Sequence, residues 1–246
     1  MKNSMSWLQI GVVALCFLLN FNDGIDVLLV SFTGAEIMKE FGLSNAELGY
    51  IFSSGLGGMT AGCFILAPYG DQIGRRKIFL ISLFLISSGM LLAFFSSNYS
   101  LLLVCRALTG LGIGGILPNL ATVASEFSTD KTRDFNVGIV QGGWPLGAIL
   151  TGFASAWIVP LYDWRFAYLA AGVFSLTMLV AVFFVLPESP AYLNRDKMQV
   201  KRASWRDLFV PEFRQSTIYL WLATFFGFIT LYTVLSWVPI LAKQTG

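Results

Sequence analysis

Long apolar runs, separated by short polar segments, form the dominant pattern of this chain. Seven runs can be delimited, at roughly 7–34, 46–69, 78–96, 101–125, 136–159, 164–186 and 216–241. About 20 mainly apolar residues are enough to cross a bilayer as a helix, and each run is near that length or longer. The pattern therefore predicts an all-α membrane protein with seven spans.

Short polar signals predict where these helices begin and how they pack. Ser44-Asn45-Ala46-Glu47 has the spacing of a capping box and predicts the start of the second helix. Ser96-Ser97-Asn98-Tyr99-Ser100 predicts a tight turn between two antiparallel helices. Glycines four residues apart allow helices to approach closely in a membrane. Pairs with this spacing include Gly58 and Gly62, Gly110 and Gly114, and Gly138 and Gly142.

The composition supports a membrane protein and excludes several kinds of site. Hydrophobic residues make up 56% of the 246 residues and charged residues only 12%, against about 25% charged in soluble domains. The net charge of +2 gives no reason to expect nucleic acid as a partner. The chain has no histidine, and it shows no nucleotide loop, metal-ligand spacing or nucleophile–base pair. We therefore expect no enzyme, no cofactor and no metal site.

The distribution of Lys and Arg predicts the orientation in the membrane. Three cations fall on one side, namely Lys39, Arg165 and Lys243. Twelve fall on the other, namely Lys2, Arg75, Arg76, Lys77, Lys131, Arg133, Arg195, Lys197, Lys201, Arg202, Arg206 and Arg214. Cytoplasmic loops carry the excess of cations, so the N-terminus is expected in the cytoplasm.

Three charged residues lie well inside the apolar runs, away from the run ends. Asp23 and Asp26 belong to the first run and are three residues apart, which places them on one face of a helix. A carboxylate at the centre of a bilayer costs at least ~2.5 kcal/mol. Arg106, in the fourth run, is the only cation that lies away from the ends of a run, and it lies at a similar depth. We expect the aspartates to pair with Arg106 across the two helices; the alternative is that Arg106 extends alone to the outer interface.

A charged turn follows the second run, as Gly70-Asp71-Gln72-Ile73-Gly74-Arg75-Arg76-Lys77. Asp71 is expected to cap free backbone N–H groups at the next helix start. Arg75 and Arg76 are expected to bridge to carboxylates on neighbouring helices. The simpler alternative is a positively charged anchor on the cytoplasmic side.

These motifs resemble those of the major facilitator superfamily. Asp71, Gly74, Arg75 and Arg76 match its G-x-x-x-D-[RK]-x-G-R-[RK] signature, whereas Ala67 and Gln72 depart from it. Further resemblances are the R-x-x-x-G-x-G pattern over 106–112 and Pro187-Glu188-Ser189-Pro190 after the sixth run. The resemblance implies a six-helix N-terminal bundle at 1–186, a cytoplasmic linker at 187–215, and the first span of an incomplete C-terminal half at 216–246.

Within that superfamily, Asp23-Gly24-Ile25-Asp26 resembles the D-G-[FY]-D motif of the aromatic acid:H+ symporters, although Ile25 replaces the usual aromatic residue. Glu126 and Arg133 also resemble the acidic and basic pair of the fourth-to-fifth loop. The implied function is proton-coupled import of aromatic carboxylates such as benzoate or hydroxybenzoate. The implied location is the bacterial inner membrane.

The candidate site residues fall into three groups. Proton coupling is assigned to Asp23, Asp26 and Arg106. Candidates for substrate binding are Arg106, Asn119, Gln141, Trp144, Tyr232 and Trp237. Candidates for a cytoplasmic gate are Asp71, Gly74, Arg75, Arg76, Glu126 and Arg133. Protonation of the aspartates would free Arg106 to attract a substrate carboxylate.

Several alternatives stay open at this stage. The chain could be a truncated, non-transporting remnant or a carrier of another metabolite. It could also assemble with a second copy of itself or with a separate complementary C-terminal half. A channel is a weaker alternative, because no polar filter-like segment is present. Na+ could replace H+ as the coupling ion. Ser204 to Phe213 is expected either to lie as an amphipathic piece on the inner leaflet or to be a solvated connector.

Overall fold

The computed structural model describes residues 5–193 and 210–245, with side chains up to Ala242. In these residues the regular structure is helical, as the apolar pattern predicted. The long helices are α1 (Trp7–Phe41), α2 (Asn45–Ile65), α4 (Arg75–Phe94), α5 (Tyr99–Glu126), α6 (Arg133–Leu161), α7 (Trp164–Val185) and α9 (Pro211–Thr245). Three short pieces lie between them: a 3₁₀ turn (Ala67–Tyr69), α3 (Gly70–Ile73) and α8 (Pro190–Leu193).

Seven helices in the described part of the chain are long and apolar enough to cross a membrane, which confirms the number of predicted spans. The chain is a multi-pass membrane protein. The helices extend beyond the apolar runs at some ends. α1 continues to Phe41 and ends where Gly42 adopts a left-handed conformation at φ 64°. Hydropathy missed these last turns because they carry polar residues such as Lys39 and Glu40.

The capping signals in the sequence act as predicted. Ser44 caps α2, because its hydroxyl accepts from the Glu47 N–H at 3.3 Å while Glu47 accepts from the Ser44 N–H at 2.7 Å. The Asn98 side chain caps α5 by accepting from the Leu101 N–H at 2.8 Å, after the predicted tight turn.

The helix pairs place charged residues in the middle of the bundle. α1 packs against α6, α7 and α9, α2 packs against α5, and α4 packs between α5 and α7. One apolar cluster includes Val12 and Leu19 of α1, and a second includes Leu29 and Ile37 of the same helix. Asp23 and Asp26 lie between these two clusters along α1.

The glycine pairs of α2 and α5 confirm the predicted close packing of these helices. A β-carbon at Gly58, Gly62, Gly110 or Gly114 would collide with a backbone carbonyl of the facing helix. The backbones of α2 and α5 therefore touch directly, and larger side chains at these positions would separate the helices.

The prediction for the third glycine pair was wrong. A β-carbon at Gly138 or Gly142 would meet nothing within 4 Å. The contact between α6 and α1 is instead made by Gly143 and Gly147, which press against the backbone of Phe17 and Phe21. This second pair has the same spacing, so spacing alone could not identify the buried one.

The end of the sixth span also agrees with the sequence. α7 ends at Val185, directly before Leu186-Pro187-Glu188-Ser189-Pro190. Residues 194–209 lie outside the described residues. They include most of the predicted amphipathic stretch and much of the linker at 187–215.

Candidate functional site

Two buried carboxylates lie on α1 in the middle of the bundle. Asp23 is 4% exposed and Asp26 is fully buried. The Asn22 amide donates a hydrogen bond to Oδ2 of Asp26 at 3.2 Å. Among the described residues, both oxygens of Asp23 and Oδ1 of Asp26 have no hydrogen-bond partner. Carboxylates left this poorly satisfied are costly away from water, so the site is one that protonation or a ligand would relieve.

The glycine between the aspartates determines what packs beside them. A β-carbon at Gly24 would collide with the backbone carbonyl of Trp144, so only glycine lets α6 approach here. The indole of Trp144 thereby comes within reach of the Asp23 carboxylate, in a geometry short of a full hydrogen bond. Asp23 thus faces an aromatic ring of α6.

Arg106 is the buried cation of this region. It is 5% exposed, and its guanidinium lies against Gly55 of α2. It does not extend to the outer surface of the bundle, so that alternative was wrong.

The predicted contact between Arg106 and the aspartates was also wrong. Nε and Nη1 of Arg106 have no hydrogen-bond partner among the described residues. Arg106 acts on Asp26 across a gap, as an electrostatic interaction without direct contact. The guanidinium lies against Gly55 of α2 and forms no ion pair with α1.

A small cavity borders Arg106. Its volume is about 20 Å³, which is room for about one water molecule. Residues from four helices line it, among them Val27, Phe52, Gly55, Met59, Tyr232 and Ser236. An organic solute does not fit this cavity in the present conformation.

Two of the predicted substrate-binding residues come to this part of the bundle from α9. Tyr232 lines the cavity beside Arg106. Trp237 is half-buried and packs against Phe52, with the ring centroids 6.0 Å apart. Tyr232 beside Arg106 and Trp144 beside Asp23 thus bring aromatic side chains to the buried charges.

The remaining candidates for substrate binding lie elsewhere. Gln141 is exposed, and its side-chain oxygen accepts from the Asn20 amide at 3.2 Å. Asn119 donates to the carbonyls of Gly115 at 3.0 Å and Ala67 at 3.4 Å, and so ties α5 to the 3₁₀ turn. The structure does not bring Asn119 to the Arg106 cavity.

A second cluster of charges lies where α4 begins and α5 ends. Arg75 forms an ion pair with Glu126 and a second one with Asp71 at 3.1 Å. The other oxygen of Glu126 accepts from the Ser189 hydroxyl. The predicted bridging of Arg75 to a neighbouring helix is therefore present, and the segment after α7 joins it.

Glu188 fills the role that was expected of Asp71. The start of α4 at Gly74 has no side-chain cap from Asp71, so that expectation was wrong. The Glu188 carboxylate instead accepts from the backbone N–H of Arg76 at 3.2 Å. The guanidinium of Arg76 donates to the carbonyl of Phe183, and it forms no ion pair with a carboxylate of the described residues, so the expected bridge from Arg76 was wrong.

Arg133 lies apart from this cluster. It pairs with Asp130 at 2.9 Å, and its side chain is half exposed. The sequence reasoning assigned no role to Glu188 or Ser189, although both belong to a motif that it had singled out.

Comparison with known proteins agrees with this fold. Residues 14–246 match the family model described as Major Facilitator Superfamily. This match supports the prediction of a transporter-type membrane protein rather than an enzyme.

Curated relatives match nearly the whole chain. A gallate transporter of Pseudomonas putida is 31% identical over 96% of this chain and 59% of its own length. The 4-hydroxybenzoate transporter PcaK of Pseudomonas aeruginosa is 32% identical over 96% of this chain and 59% of its own length. The chain thus spans 59% of the length of each of these relatives.

A solved structure shares the fold. The D-xylose-proton symporter aligns with a TM-score of 0.77 at 19% identity, over 96% of this chain and 62% of that chain. At this identity the likeness concerns the arrangement of helices alone.

Proposed function

Because the chain belongs to the Major Facilitator Superfamily, we propose that it contributes the N-terminal part of a proton-coupled secondary transporter. The proposed cargo is a small aromatic carboxylate such as benzoate or hydroxybenzoate, which is imported. In this proposal 1–186 is the N-terminal bundle, 187–215 the cytoplasmic linker, and 216–246 the first span of a C-terminal half. The similarity to a gallate transporter and to a 4-hydroxybenzoate transporter supports the cargo class.

One observation carries the proposal. Asp23 and Asp26 are buried, three of their four oxygens have no hydrogen-bond partner in the described part of the chain, and a buried arginine lies within electrostatic range. Ionisable residues inside a membrane bundle are expensive, and they are typical of proton relays and substrate paths. A purely structural role would be expected to satisfy these groups by hydrogen bonds.

The proposed mechanism uses the balance of charge around Arg106. With the aspartates ionised, their negative charge compensates the guanidinium across the gap. Protonation from the outer side removes that compensation, and Arg106 then attracts the carboxylate of the substrate. Tyr232 and Trp144 would offer their rings to the aromatic part of the cargo.

Entry of cargo requires a wider site than the present cavity of about 20 Å³. Transporters of this type alternate access by rocking two halves around a site near the midplane. Outward movement of α9 relative to α2 and α5 would widen the space beside Arg106, because Phe52 of α2 and Tyr232 of α9 both line it.

The cluster around Arg75 is proposed as the cytoplasmic gate. Arg75 links Asp71 and Glu126, and Ser189 joins them from the segment after α7. Such charge-assisted contacts hold the inner ends of α4, α5 and α7 together, so their rearrangement would accompany opening to the cytoplasm.

The proposed location is the bacterial inner membrane with the N-terminus in the cytoplasm. This orientation rests on the excess of Lys and Arg on one side, which includes Arg75, Arg76 and Lys77 after α2.

The test is uptake by the longest natural protein that contains this chain, purified and reconstituted into liposomes. Labelled 4-hydroxybenzoate is supplied outside, with either a proton gradient or a Na+ gradient imposed. We expect uptake driven by the proton gradient, and loss of that coupling in Asp23→Asn and Asp26→Asn. Asp130→Asn, which changes an exposed carboxylate, is the matched control.

Three outcomes would each contradict a different part of the proposal: the coupling ion, the role of the aspartates, or the cargo class. Uptake that follows only the Na+ gradient contradicts proton coupling. Undiminished proton-driven uptake in both aspartate variants contradicts their role. Transport of another anion without competition by aromatic acids contradicts the cargo class and favours a carrier of a different metabolite.

A further inference from the structure

A chain of buried hydrogen bonds reaches Asp26 from α7. The Ser175 hydroxyl donates to Oδ1 of Asn22 at 2.8 Å, and the Asn22 amide donates to Oδ2 of Asp26 at 3.2 Å. Ser175 is fully buried and Asn22 is 1% exposed. The three side chains thus connect α7 to the acidic pair of α1 without access to water.

The two oxygens of Asp26 are made unequal by this arrangement. Oδ2 receives the amide hydrogen of Asn22, whereas Oδ1 is buried without a partner. An oxygen that already accepts from a donor is the poorer place for a proton, and a donor stabilises the ionised carboxylate. Oδ1 is therefore the oxygen that is available to take up and release a proton.

We propose that Asn22 is a positioning residue for proton coupling, held by Ser175 so that it donates to Asp26 and directs the transported proton to Oδ1. The inference rests on the proposed function, since it concerns the same carboxylate. The proton comes from water on the outer side and returns to water in the cytoplasm, so the carboxylate is regenerated in each cycle.

The hydroxyl of Ser175 also lies 3.0 Å from the carbonyl of Ala171 on its own helix. If its hydrogen pointed there, the Asn22 amide could turn over and accept from a protonated Asp26. The two orientations of the Asn22 amide predict opposite shifts in the pH at which Asp26 is half protonated when the amide is removed. Loss of a donor favours the protonated acid, whereas loss of an acceptor favours the ionised form.

Other charged and titratable groups also act on this carboxylate. They are Asp23 on α1, Arg106 on α5 and Tyr168 on α7. Cys63 of α2 and Tyr232 of α9 act on Asp23. The variants compared within each measurement do not differ at these positions, because Asp23→Asn is common to every infrared sample, so a difference between variants reports the Ser175–Asn22 contact.

The experiment measures protonation and transport separately in the full protein. Infrared spectroscopy follows the carboxylic-acid band of Asp26 against pH in an Asp23→Asn background, with Asp26→Asn to identify the band. Proton-driven uptake of labelled 4-hydroxybenzoate against pH is measured without that background substitution. Asn22→Leu removes the amide at similar volume, Ser175→Ala removes the hydroxyl, and Ser175→Thr retains one.

We expect Asn22→Leu to move the midpoint of both pH profiles to higher pH by about one unit, the scale of one hydrogen bond to a charged group. Ser175→Ala should move it in the same direction by less, and Ser175→Thr should restore it. Ser31→Ala is the control, because it removes a buried hydroxyl of α1 that has no hydrogen-bond partner.

An unchanged midpoint, or a shift to lower pH, in Asn22→Leu overturns the inference. If Asn22→Leu does not fold, Ser175→Ala is compared with Ser175→Thr. An unchanged midpoint, or a shift to lower pH, in Ser175→Ala then overturns the inference. If the parent protein shows no aromatic-acid uptake, the proposed function fails, while the infrared midpoint still tests the role of Asn22.

Discussion

The carboxylate of Glu188 occupies the space beside Gly74 that a β-carbon would fill in any other residue. Gly74 also has φ at 103°, which side chains other than glycine rarely adopt. Two independent constraints therefore meet at this position. The contact joins the segment after α7 to the start of α4.

Gly74→Ala should lower the stability of the protein, because the methyl group displaces Glu188 and the backbone is strained. A strained residue costs about 1–3 kcal/mol, so we expect a clear drop in the thermal unfolding temperature in detergent. Gly138→Ala is the matched control, since its β-carbon meets nothing within 4 Å. Equal unfolding temperatures in the two variants would contradict the proposed constraint.

An ion pair between Glu40 and Arg165 fixes the C-terminal end of α1. Arg165 donates to both oxygens of Glu40, at 2.6 and 2.8 Å, and to the carbonyl of Ser96 at 2.9 Å. The indole of Trp164 donates to Glu40 at 2.6 Å. Because one carboxylate receives three hydrogens, it links α1 with the start of α7, while Ser96 ties in the turn before α5.

Glu40→Gln should destabilise the protein by about 1 kcal/mol, since the pair is partly exposed and solvent weakens it. Arg165→Lys should lose nearly as much, because an ammonium cannot reproduce the forked contact. Thermal unfolding measures both effects. Arg133→Lys serves as the control at an exposed pair, and an equal loss there would argue against a special role for Arg165.

The glycines at the contact between α2 and α5 lead to a prediction about how these two helices pack within the chain. Gly58→Leu should prevent the two helices from packing, because its side chain would meet the carbonyl of Ala107. Gly57→Leu, one residue earlier, places the same side chain where nothing lies within 4 Å. Size-exclusion chromatography should show aggregation or loss of protein for the first variant only. Similar elution of both would show that close approach is not required.

The loops provide a test of orientation. With Cys16, Cys63 and Cys105 replaced by serine, Lys131→Cys reports the loop between α5 and α6, and Tyr162→Cys reports the loop between α6 and α7. An impermeant maleimide added to intact cells should label Tyr162→Cys, because the excess of cations places the other loop in the cytoplasm. Labelling of Lys131→Cys before the cells are opened would reverse the predicted orientation.

Sequence reasoning succeeded where a local pattern has a local cause. The Ser44 capping box depends only on neighbouring residues, and it was predicted correctly. The number of spans follows from the length of each apolar run. The same reasoning failed at Gly138, because a spacing of four residues does not reveal which side of α6 faces α1.

The buried charges also show that a sequence pattern does not reveal which side of a helix faces its neighbour. The sequence indicated that Asp26 and Arg106 lie at similar depth, and the structure places them in one interior region. The absence of direct contact between them could not be predicted, because it depends on how α1 and α5 are rotated and on the position of the guanidinium against Gly55. Asn22 and Ser175 were visible as polar residues within apolar runs, but only the fold connects them.

The gap between Asp26 and Arg106 leads to the last prediction, which concerns their energetic coupling. Arg106→Gln leaves a buried carboxylate without its compensating cation, and Asp26→Asn leaves the cation without one of its carboxylates. Each single variant should therefore unfold at a lower temperature than the parent protein.

The double variant should recover part of this loss, because no unbalanced charge remains at either position. A double-mutant cycle from thermal unfolding should give a coupling of about 0.5–3 kcal/mol. Arg106→Lys keeps the charge and should lie close to the parent. Pairing Arg106→Gln with Asp130→Asn provides the control, since Asp130 is engaged by Arg133 at the surface. If the effects of Arg106→Gln and Asp26→Asn on the free energy of unfolding simply add, the two charges do not interact. That result would contradict the proposed mechanism, which depends on the balance between them.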